Sequence, residues 1–305
     1  MQKAEQILQA VRKMGEKRTP LTRIYRCLYS EDLFLTAYDK VGRNKGSLTP
    51  GTESRDTADG MNIGRIQRII EELRYERFRF RPSRRTQIPK ANGGFRPLSM
   101  PNFSEKLVQE VIRLLLEAYY EPRFRCSSHG FRLERGCHTA LSDIHQRFKG
   151  TTWFIEGDIH GCFDNIESSR LVEILAQDIH DGRFLNLIRM SLQAGYLEDW
   201  RYHRTYSGVP QGGIASPVLS NIYLHELDTF VEEELVPRYS RGKHRGPNRA
   251  YQRLSYRIKR TRQEGNQQLT KQLEQQRRQL PSLDTQDPDF RRLKYVRYCD
   301  AVRRR

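Results

Sequence analysis

The sequence contains no run of about 18 apolar residues, the length a membrane-crossing helix needs. Its first residues also lack the apolar core of an export signal. No membrane partner is expected, and a cytoplasmic setting is the default. Apolar residues are scarce overall, at 36% of 305, and mean hydropathy is -0.80. That supplies a sizeable core in two or three subdomains but predicts an extended, surface-rich fold. Cysteine is sparse: Cys27, Cys126, Cys137, Cys162 and Cys299. No two stand at C-x-x-C spacing, which argues against structural zinc, and their odd number and scatter fit reduced thiols. Acid is in deficit, with 37 Asp and Glu against 54 Lys and Arg, a net charge of +17. Such an excess calls for a polyanionic partner, nucleic acid before membrane.

Two strand-like stretches stand out against this background. Thr152 to Asp158, apolar and β-branched, reads as a buried strand ending in a carboxylate. A loop follows, with Phe163 and Asp164 between the turn residues Gly161 and Asn165. The second stretch, Leu293-Lys-Tyr-Val-Arg-Tyr-Cys-Asp300, also ends in a carboxylate. Mg²⁺ takes hard oxygen ligands, commonly one or two carboxylates with substrate phosphates. Two strand-borne aspartates can hold a metal pair for phosphoryl or nucleotidyl transfer. Taken alone, each reads first as an ordinary turn-forming aspartate; the other segments reverse that reading.

Between these stretches the chain alternates helices and polar loops. Helices are predicted for Lys3 to Met14, Glu31 to Lys40, Asn62 to Tyr75, Ser104 to Tyr120 (capped by Ser104), His138 to Phe148, Ser168 to Ala176 and Gly182 to Ala194. In His138 to Phe148 the residues Ala140, Leu141, Ile144 and Phe148 form the inward face. Asn44 to Gly60 is a loop by composition, either a linker or a cover for a nucleic-acid strand. From Arg74 to Lys90 seven cations face one acid, Glu76. Arg84 to Met100 reads as a hairpin turning at Asn92-Gly-Gly94, its cations gripping phosphates or merely solvated. His129 reads as a hydrogen-bonder in a polar loop and not as a metal ligand. In Gly208-Val-Pro-Gln-Gly-Gly213, glycines beside Gln211 would let backbone approach a ligand; pure turn chemistry is the alternative, a weak explanation for a segment of this length and order. Arg238 to Arg262 holds ten cations and no acid, with Tyr239, Tyr251 and Tyr256 interleaved. Cations for phosphates and aromatics for stacking suit an RNA surface, though a solvated helical hairpin has the same composition.

Taken in order, these segments resemble the fingers and palm of a group II intron-encoded reverse transcriptase, or maturase. The matching residues are Asn44-Lys-Gly with Thr49-Pro-Gly, Ile88-Pro-Lys with Arg96-Pro-Leu, and Ser127-Ser-His-Gly-Phe-Arg. They continue with Gly157-Asp-Ile-His-Gly-Cys-Phe-Asp-Asn-Ile, Gly208-Val-Pro-Gln-Gly-Gly, Ser216-Pro-Val-Leu-Ser-Asn and Tyr298-Cys-Asp300.

The resemblance implies an α/β (α+β) right-hand polymerase fold: helical fingers with a β-hairpin, an antiparallel palm sheet packed on helices, and a basic helical insertion. It divides the chain into an N-terminal extension (1–60), fingers (61–150), first palm part (151–237), insertion (238–290) and metal-motif strand (291–305). It implies catalysis and Mg²⁺ binding by Asp158 and Asp300, and a block by Phe163 against a 2′-hydroxyl. It gives triphosphate contacts to Lys90, Arg96 and Arg84, and places Gln211 near the incoming nucleotide. RNA contacts fall to Lys45, Arg238, Arg241, Lys243, Arg245, Arg249, Arg253, Arg257, Lys259 and Arg260. The expected partners are group II intron RNA, primer–template nucleic acid and deoxynucleoside triphosphates. The family's metal motif ends in two adjacent aspartates, and here the second is Ala301. With the end at Arg305, this leaves two expectations open: a fingers–palm piece of a polymerase, or a non-enzymatic splicing cofactor that binds intron RNA. An open sheet edge adds a homodimer as a third.

Overall fold

The structure, a computed structural model, describes residues 3–89, 93–205, 207–209, 212–299 and 301–304; the side chains of Arg96 and of 301–304 are outside the description. The chain divides into two units. The first holds 1–140, 158–228 and 297–301; the second holds 141–157, 229–296 and 302–305.

The first unit is organised by helices. They begin with α1 (Ala4–Glu16), α2 (Glu31–Gly42), α3 (Ile63–Arg74) and α4 (Phe103–Tyr120). In α1, Ile7 and Val11 bury one stripe; in α3, Ile66, Ile69, Ile70 and Leu73 do the same. The side chain of Asn62 accepts from the Arg65 N–H at 3.0 Å and caps α3. Helix α4 is different, since fourteen of its 18 residues are buried. A helix covered on all sides is a core element; α1 and α2 pack directly against it, and its apolar side chains join one continuous core cluster. Its cap is Asn102, not Ser104: the Asn102 N–H donates to the Glu105 carboxylate at 3.2 Å. Ser104 instead gives its N–H and hydroxyl to Asp56. An adjacent acid three residues on makes Asn102 the better cap.

The loop 43–62 is tied to this core. The Lys106 ammonium, buried and with its pKa lowered by desolvation, donates to the Gly46 and Thr49 carbonyls at 3.1 and 3.2 Å. Asn102 accepts from the Glu53 N–H at 2.9 Å. These bonds exclude a free linker, and they leave Lys45 exposed.

After α4 come α5 (Cys137–Arg147), α6 (Cys162–Asn165), α7 (Ser168–Asp178), α8 (Gly182–Gln193) and α9 (Ser216–Phe230). Helix α9 runs through a π-helical turn, Val231–Leu235, into α10 (Val236–Tyr239). Of the expected inward face of α5, Ala140 and Phe148 are buried but Leu141 is 52% exposed. The basic segment then forms α11 (Arg249–Gln263) and α12 (Gln267–Arg278), broken at Gly265 where φ is +71°. They pack as a hairpin through Ile258, Thr261, Thr270 and Leu273.

The strands are β1 (Ser83–Pro89), β2 (Phe95–Met100), β3 (Ile155–Asp158), β4 (Tyr196–Glu198), β5 (Arg201–His203), β6 (Tyr295–Tyr298) and β7 (Ala301–Arg304). One sheet has the order β2-β1-β4-β5, the other β3-β7-β6. The predicted hairpin is present, with Arg84 opposite Met100 and Ile88 opposite Arg96; Asn92 of its predicted turn lies outside the described residues. The parallel β1–β4 pairing and the β4–β5 hairpin are additions that sequence periodicity did not reveal. Both β4 and β5 are only three residues long, too short for a period to show.

The strand at 152–158 needs correction. It is shorter, β3 alone, and exposed: Trp153 is 78% and Ile155 59% accessible. An apolar run reports hydrophobicity, not coverage, and β3 lies at a sheet edge with a single neighbour. Among the described residues, no helix is long and apolar enough to cross a membrane.

Candidate active site

Asp158 closes β3 with its side chain in solvent. The chain then turns at Gly161, φ +59°, into the single helical turn α6. Cys162 points into the core. Phe163 is half-buried against the core, and the ring of Phe131 meets it edge-on at 6.0 Å and 81°. Phe131 has φ +55°, uncommon for a bulky residue. Sequence reading placed Phe131 in a motif without a role; the structure makes it one wall behind Phe163.

The loop after Thr205 straps across α6. The Val209 N–H donates to the Phe163 carbonyl at 2.6 Å, and the Gly208 N–H to the Ile166 carbonyl at 2.7 Å. The Ser207 hydroxyl donates to the Asp164 carbonyl at 3.1 Å. Gly208 has φ +92°, and a Cβ there would stand 2.8 Å from the carbonyl oxygens of Phe163 and Asp164. Only glycine fits both the angle and the approach. Gly212, at φ +104°, lies so close to the Ser99 carbonyl of β2 that a Cβ would collide with it. The Ile214 N–H then reaches the Gln109 side chain of α4 at 2.8 Å. Gly212 therefore admits a neighbouring protein strand, where the sequence suggested room for a ligand. Gln211 lies outside the described residues, but both flanks of its loop are held.

The hairpin contributes unevenly. Lys90 lies outside the described residues. Arg96 is placed only by its backbone, opposite Ile88. Arg84 is exposed, its guanidinium 3.8 Å from the Met100 sulfur. Arg85, its neighbour, turns inward: it sits 4.0 Å over the Tyr196 ring and 4.0 Å from the Asp164 carboxylate. Alternation along β1 separates the two arginines onto opposite faces. Nothing in the sequence distinguished them, because Tyr196 becomes a neighbour only through the parallel β1–β4 pairing.

The second aspartate, Asp300, lies outside the described residues. By sequence it follows β6 and Cys299, whose φ is +55°. Among the described residues no three His, Cys, Asp or Glu side chains cluster as a closed metal cage would. The donor set on offer is one solvent-facing carboxylate at the end of β3 and one carboxylate just after β6. A hard, solvent-facing carboxylate such as Asp158 fits Mg²⁺, which keeps waters and binds substrate phosphates.

The family described as reverse transcriptase (RNA-dependent DNA polymerase) matches residues 88–242, from the hairpin to the start of the basic segment. The chain belongs to the reverse transcriptase family. It is 43% identical over 291 residues to the group II intron-encoded protein LtrA of Lactococcus lactis subsp. cremoris, covering 92% of this chain and 48% of that protein. It is 52% identical over 205 residues to a 91 kDa protein in the cob intron of Schizosaccharomyces pombe, covering 67% and 25%. It is 36% identical over 272 residues to a putative COX1/OXI3 intron 1 protein of Saccharomyces cerevisiae, covering 89% and 32%. These relatives bear out the resemblance to group II intron-encoded reverse transcriptases and maturases. The chain spans at most about half the length of these relatives.

In this member of the reverse transcriptase family, Lys45 lies in the first unit, and the other cations picked out for RNA fall into two groups within the second. Arg249, Arg253, Arg257 and Arg260 recur at helical spacing along α11 and are all exposed, with Tyr256, 77% accessible, among them. The stripe runs beside the seam that buries Ile258 and Thr261, with Thr261 one turn on from Arg257. Lys259 flanks the stripe and shares a cleft with Arg262 and Arg277. Arg260 also pairs with Glu264 at 2.9 Å; of the other cations, Arg238 and Arg245 engage protein through their side chains, and Arg241 and Lys243 are held through their backbone. Arg238 and Arg291 both lie over the Tyr239 ring, at 5.7 and 5.5 Å. Arg241 pairs through its backbone with Arg291 at 2.7 Å. Arg245 covers Phe290 at 5.4 Å and donates to the Gly150 carbonyl at 3.2 Å. The Lys243 carbonyl accepts from Arg292 at 2.6 Å. Tyr251 is half-buried with Arg277 over its ring at 5.5 Å. Of the three interleaved tyrosines, only Tyr256 stands on the α11 cation stripe.

Proposed function

We propose that this chain is the fingers–palm part of a group II intron-encoded RNA-directed DNA polymerase and maturase. It acts on primer–template nucleic acid and deoxynucleoside triphosphates and binds intron RNA. The observation that carries the reading is the strap: Val209 holds the Phe163 carbonyl and Gly208 the Ile166 carbonyl just past α6, so the Phe163 backbone is tied down five residues after the exposed Asp158. A steric wall beside a metal-binding carboxylate is what selection of deoxynucleotides requires. Residues 61–150 serve as fingers, 151–237 and 291–305 as palm, and 238–290 as the RNA-facing insertion behind an N-terminal extension, 1–60.

Asp158 and Asp300 would hold Mg²⁺. Bound there, the metal would supply Lewis-acid activation of a primer 3′-hydroxyl and charge neutralisation at the pyrophosphate leaving group. Phe163 excludes a 2′-hydroxyl by occupying its space. Lys90 and Arg96, with Arg84, neutralise the triphosphate; Gln211 lies near the incoming nucleotide. Arg249, Arg253, Arg257 and Arg260 meet RNA phosphates, and Tyr256 offers a face for base stacking.

A second reading is supported by Ala301, which stands where the resembled family has a carboxylate: a splicing cofactor that binds intron RNA without catalysis. Mg²⁺-dependent primer extension on an RNA template separates the two. Extension by the parent chain that Asp158→Asn abolishes, with intron RNA binding unchanged, supports the polymerase. Extension that survives the substitution removes Asp158 from its role. No extension by the parent chain favours the cofactor.

A further inference from the structure

Arg297, in the middle of β6, is wholly buried. A buried guanidinium is costly unless every donor is met, and here all five are. Its Nε and one Nη2 hydrogen grip the two oxygens of Asp228 at 2.8 Å each, and Asp228 is equally buried. The other Nη2 hydrogen goes to the Ser128 hydroxyl at 2.7 Å. Nη1 donates to the Asn221 side-chain oxygen at 3.2 Å and to the Cys299 carbonyl at 2.7 Å. That last carbonyl belongs to the peptide bond joining Cys299 to Asp300.

The surroundings hold the same turn from its other sides. The Arg297 N–H donates to the Ser127 carbonyl at 2.8 Å, and the Arg297 carbonyl accepts from the His129 N–H at 2.9 Å. A Cβ on Gly130 would collide with the Cys299 backbone nitrogen. The Asn221 amide donates to the Gly130 carbonyl at 2.8 Å. Cys299 itself adopts φ +55°, a left-handed conformation that a side-chain-bearing residue keeps only when its neighbours impose it.

We infer that Arg297 is a positioning residue for the metal site. Braced by Asp228, Asn221 and Ser128, it fixes the carbonyl of Cys299, the residue immediately before Asp300. The inference rests on the reading of Asp300 as a metal ligand. It assigns one job to residues from three separated motifs: Ser128 and Gly130 of Ser127-Ser-His-Gly, Asn221 and Asp228 of α9, and Arg297 of β6. Lysine cannot substitute, because three donors on a flexible stem cannot serve five acceptors arranged around a planar fork.

The test is direct Mn²⁺ binding to the 305-residue chain, followed by electron paramagnetic resonance, with far-UV circular dichroism and Tm measured alongside. Two variants probe the clamp. Arg297→Lys keeps the charge beside Asp228. Arg297→Met combined with Asp228→Leu replaces the pair by apolar groups, a change buried ion pairs often tolerate. Ser128→Ala, a single lost hydroxyl, serves as a third variant should both of these unfold. Loss of groups that orient metal ligands typically lowers affinity 10- to 100-fold. A loss of at least tenfold is expected in Arg297→Lys and the double variant, and a measurable weakening in Ser128→Ala, each with parent-like dichroism. Parent-like affinity in a folded clamp variant overturns the inference, provided Asp158→Asn and Asp300→Asn weaken binding. If those two leave Mn²⁺ binding unchanged, the metal-site reading itself fails, and the clamp as a metal-positioning device fails with it.

Discussion

Helix α4 buries fourteen of its 18 residues, and α11 buries two of its 15. Both are long, regular helices in one chain, yet they are held by different forces. Around α4, Leu107, Val108, Val111 and Leu115 are all 0% exposed within one continuous apolar core. On α11, Ile258 and Thr261 make a thin seam with α12, and the rest of the surface is cationic or polar. The first unit therefore gains its stability from close-packed apolar contact, where each atom counts. The α11–α12 hairpin keeps most of its residues free of packing, so its charges can serve recognition with little effect on the fold.

The largest expected effect tests that difference directly. Leu115→Ala should destabilise the chain by about 2–5 kcal/mol, since a buried cavity would be left in the core. Leu273→Ala, in the α11–α12 seam, should cost about 2 kcal/mol or less, because thinner packing can relax. Urea unfolding measures both, and equal losses would break the comparison.

Next comes a charge buried at the N-terminal end of α4. Desolvation pushes the Glu105 carboxyl up from 4.5 to about 7. The folded chain keeps that proton while the unfolded chain releases it near 4.5, so this group lowers stability as pH rises from 4.5 to 7, and the loss is complete above 7. The magnitude is about 1.4 kcal/mol per pH unit within the window. His225 acts in the opposite sense: burial pulls it from 6.5 to about 4, so its contribution is lost as pH falls from 6.5 to 4. The Glu105 share is isolated by Glu105→Gln. Relative to the parent, the variant should gain stability steadily between pH 4.5 and 7 and then level off. A difference that does not vary with pH would refute the desolvation argument.

The smallest expected effect on folding comes from the cation stripe. Replacing Arg249, Arg253 and Arg257 together by Gln should change stability by no more than about 0.5 kcal/mol per site. The same change should flatten the salt dependence of RNA binding, by about one in slope per lost phosphate contact. A large fall in stability with no change in slope would reverse the roles assigned to the two regions.

Much of this was legible in the sequence. Amphipathic spacing located α1, α2, α3, α7 and α8 to within about two residues, because each buries a single stripe. The hairpin of β1 and β2 was readable from alternation around a glycine turn. Other features were not. Seven cations between Arg74 and Lys90 look alike in sequence, yet Arg85 packs on Tyr196 while Arg84 faces solvent. The strand at β3 looked buried because its residues are apolar, and no local rule says whether another element covers them. Tyr239, Tyr251 and Tyr256 looked equivalent until α11 and its neighbours assigned two of them to protein contacts. Arg297 drew no notice, since an arginine in a basic chain reads as surface.

By itself, then, the sequence determined the helices with one apolar stripe, the order of the motifs, the family they resemble and the pull of a +17 charge toward polyanions. These depend on residue type and near spacing. Only the tertiary structure decided that Val209 holds the backbone of Phe163, that Gly212 admits a protein strand, and that Arg297 and Asp228 pair in the core. Those partners are 46, 113 and 69 positions apart in the chain. Separations of that length carry no periodic signal, and burial, hydrogen bonding and desolvation act on whatever folding brings together.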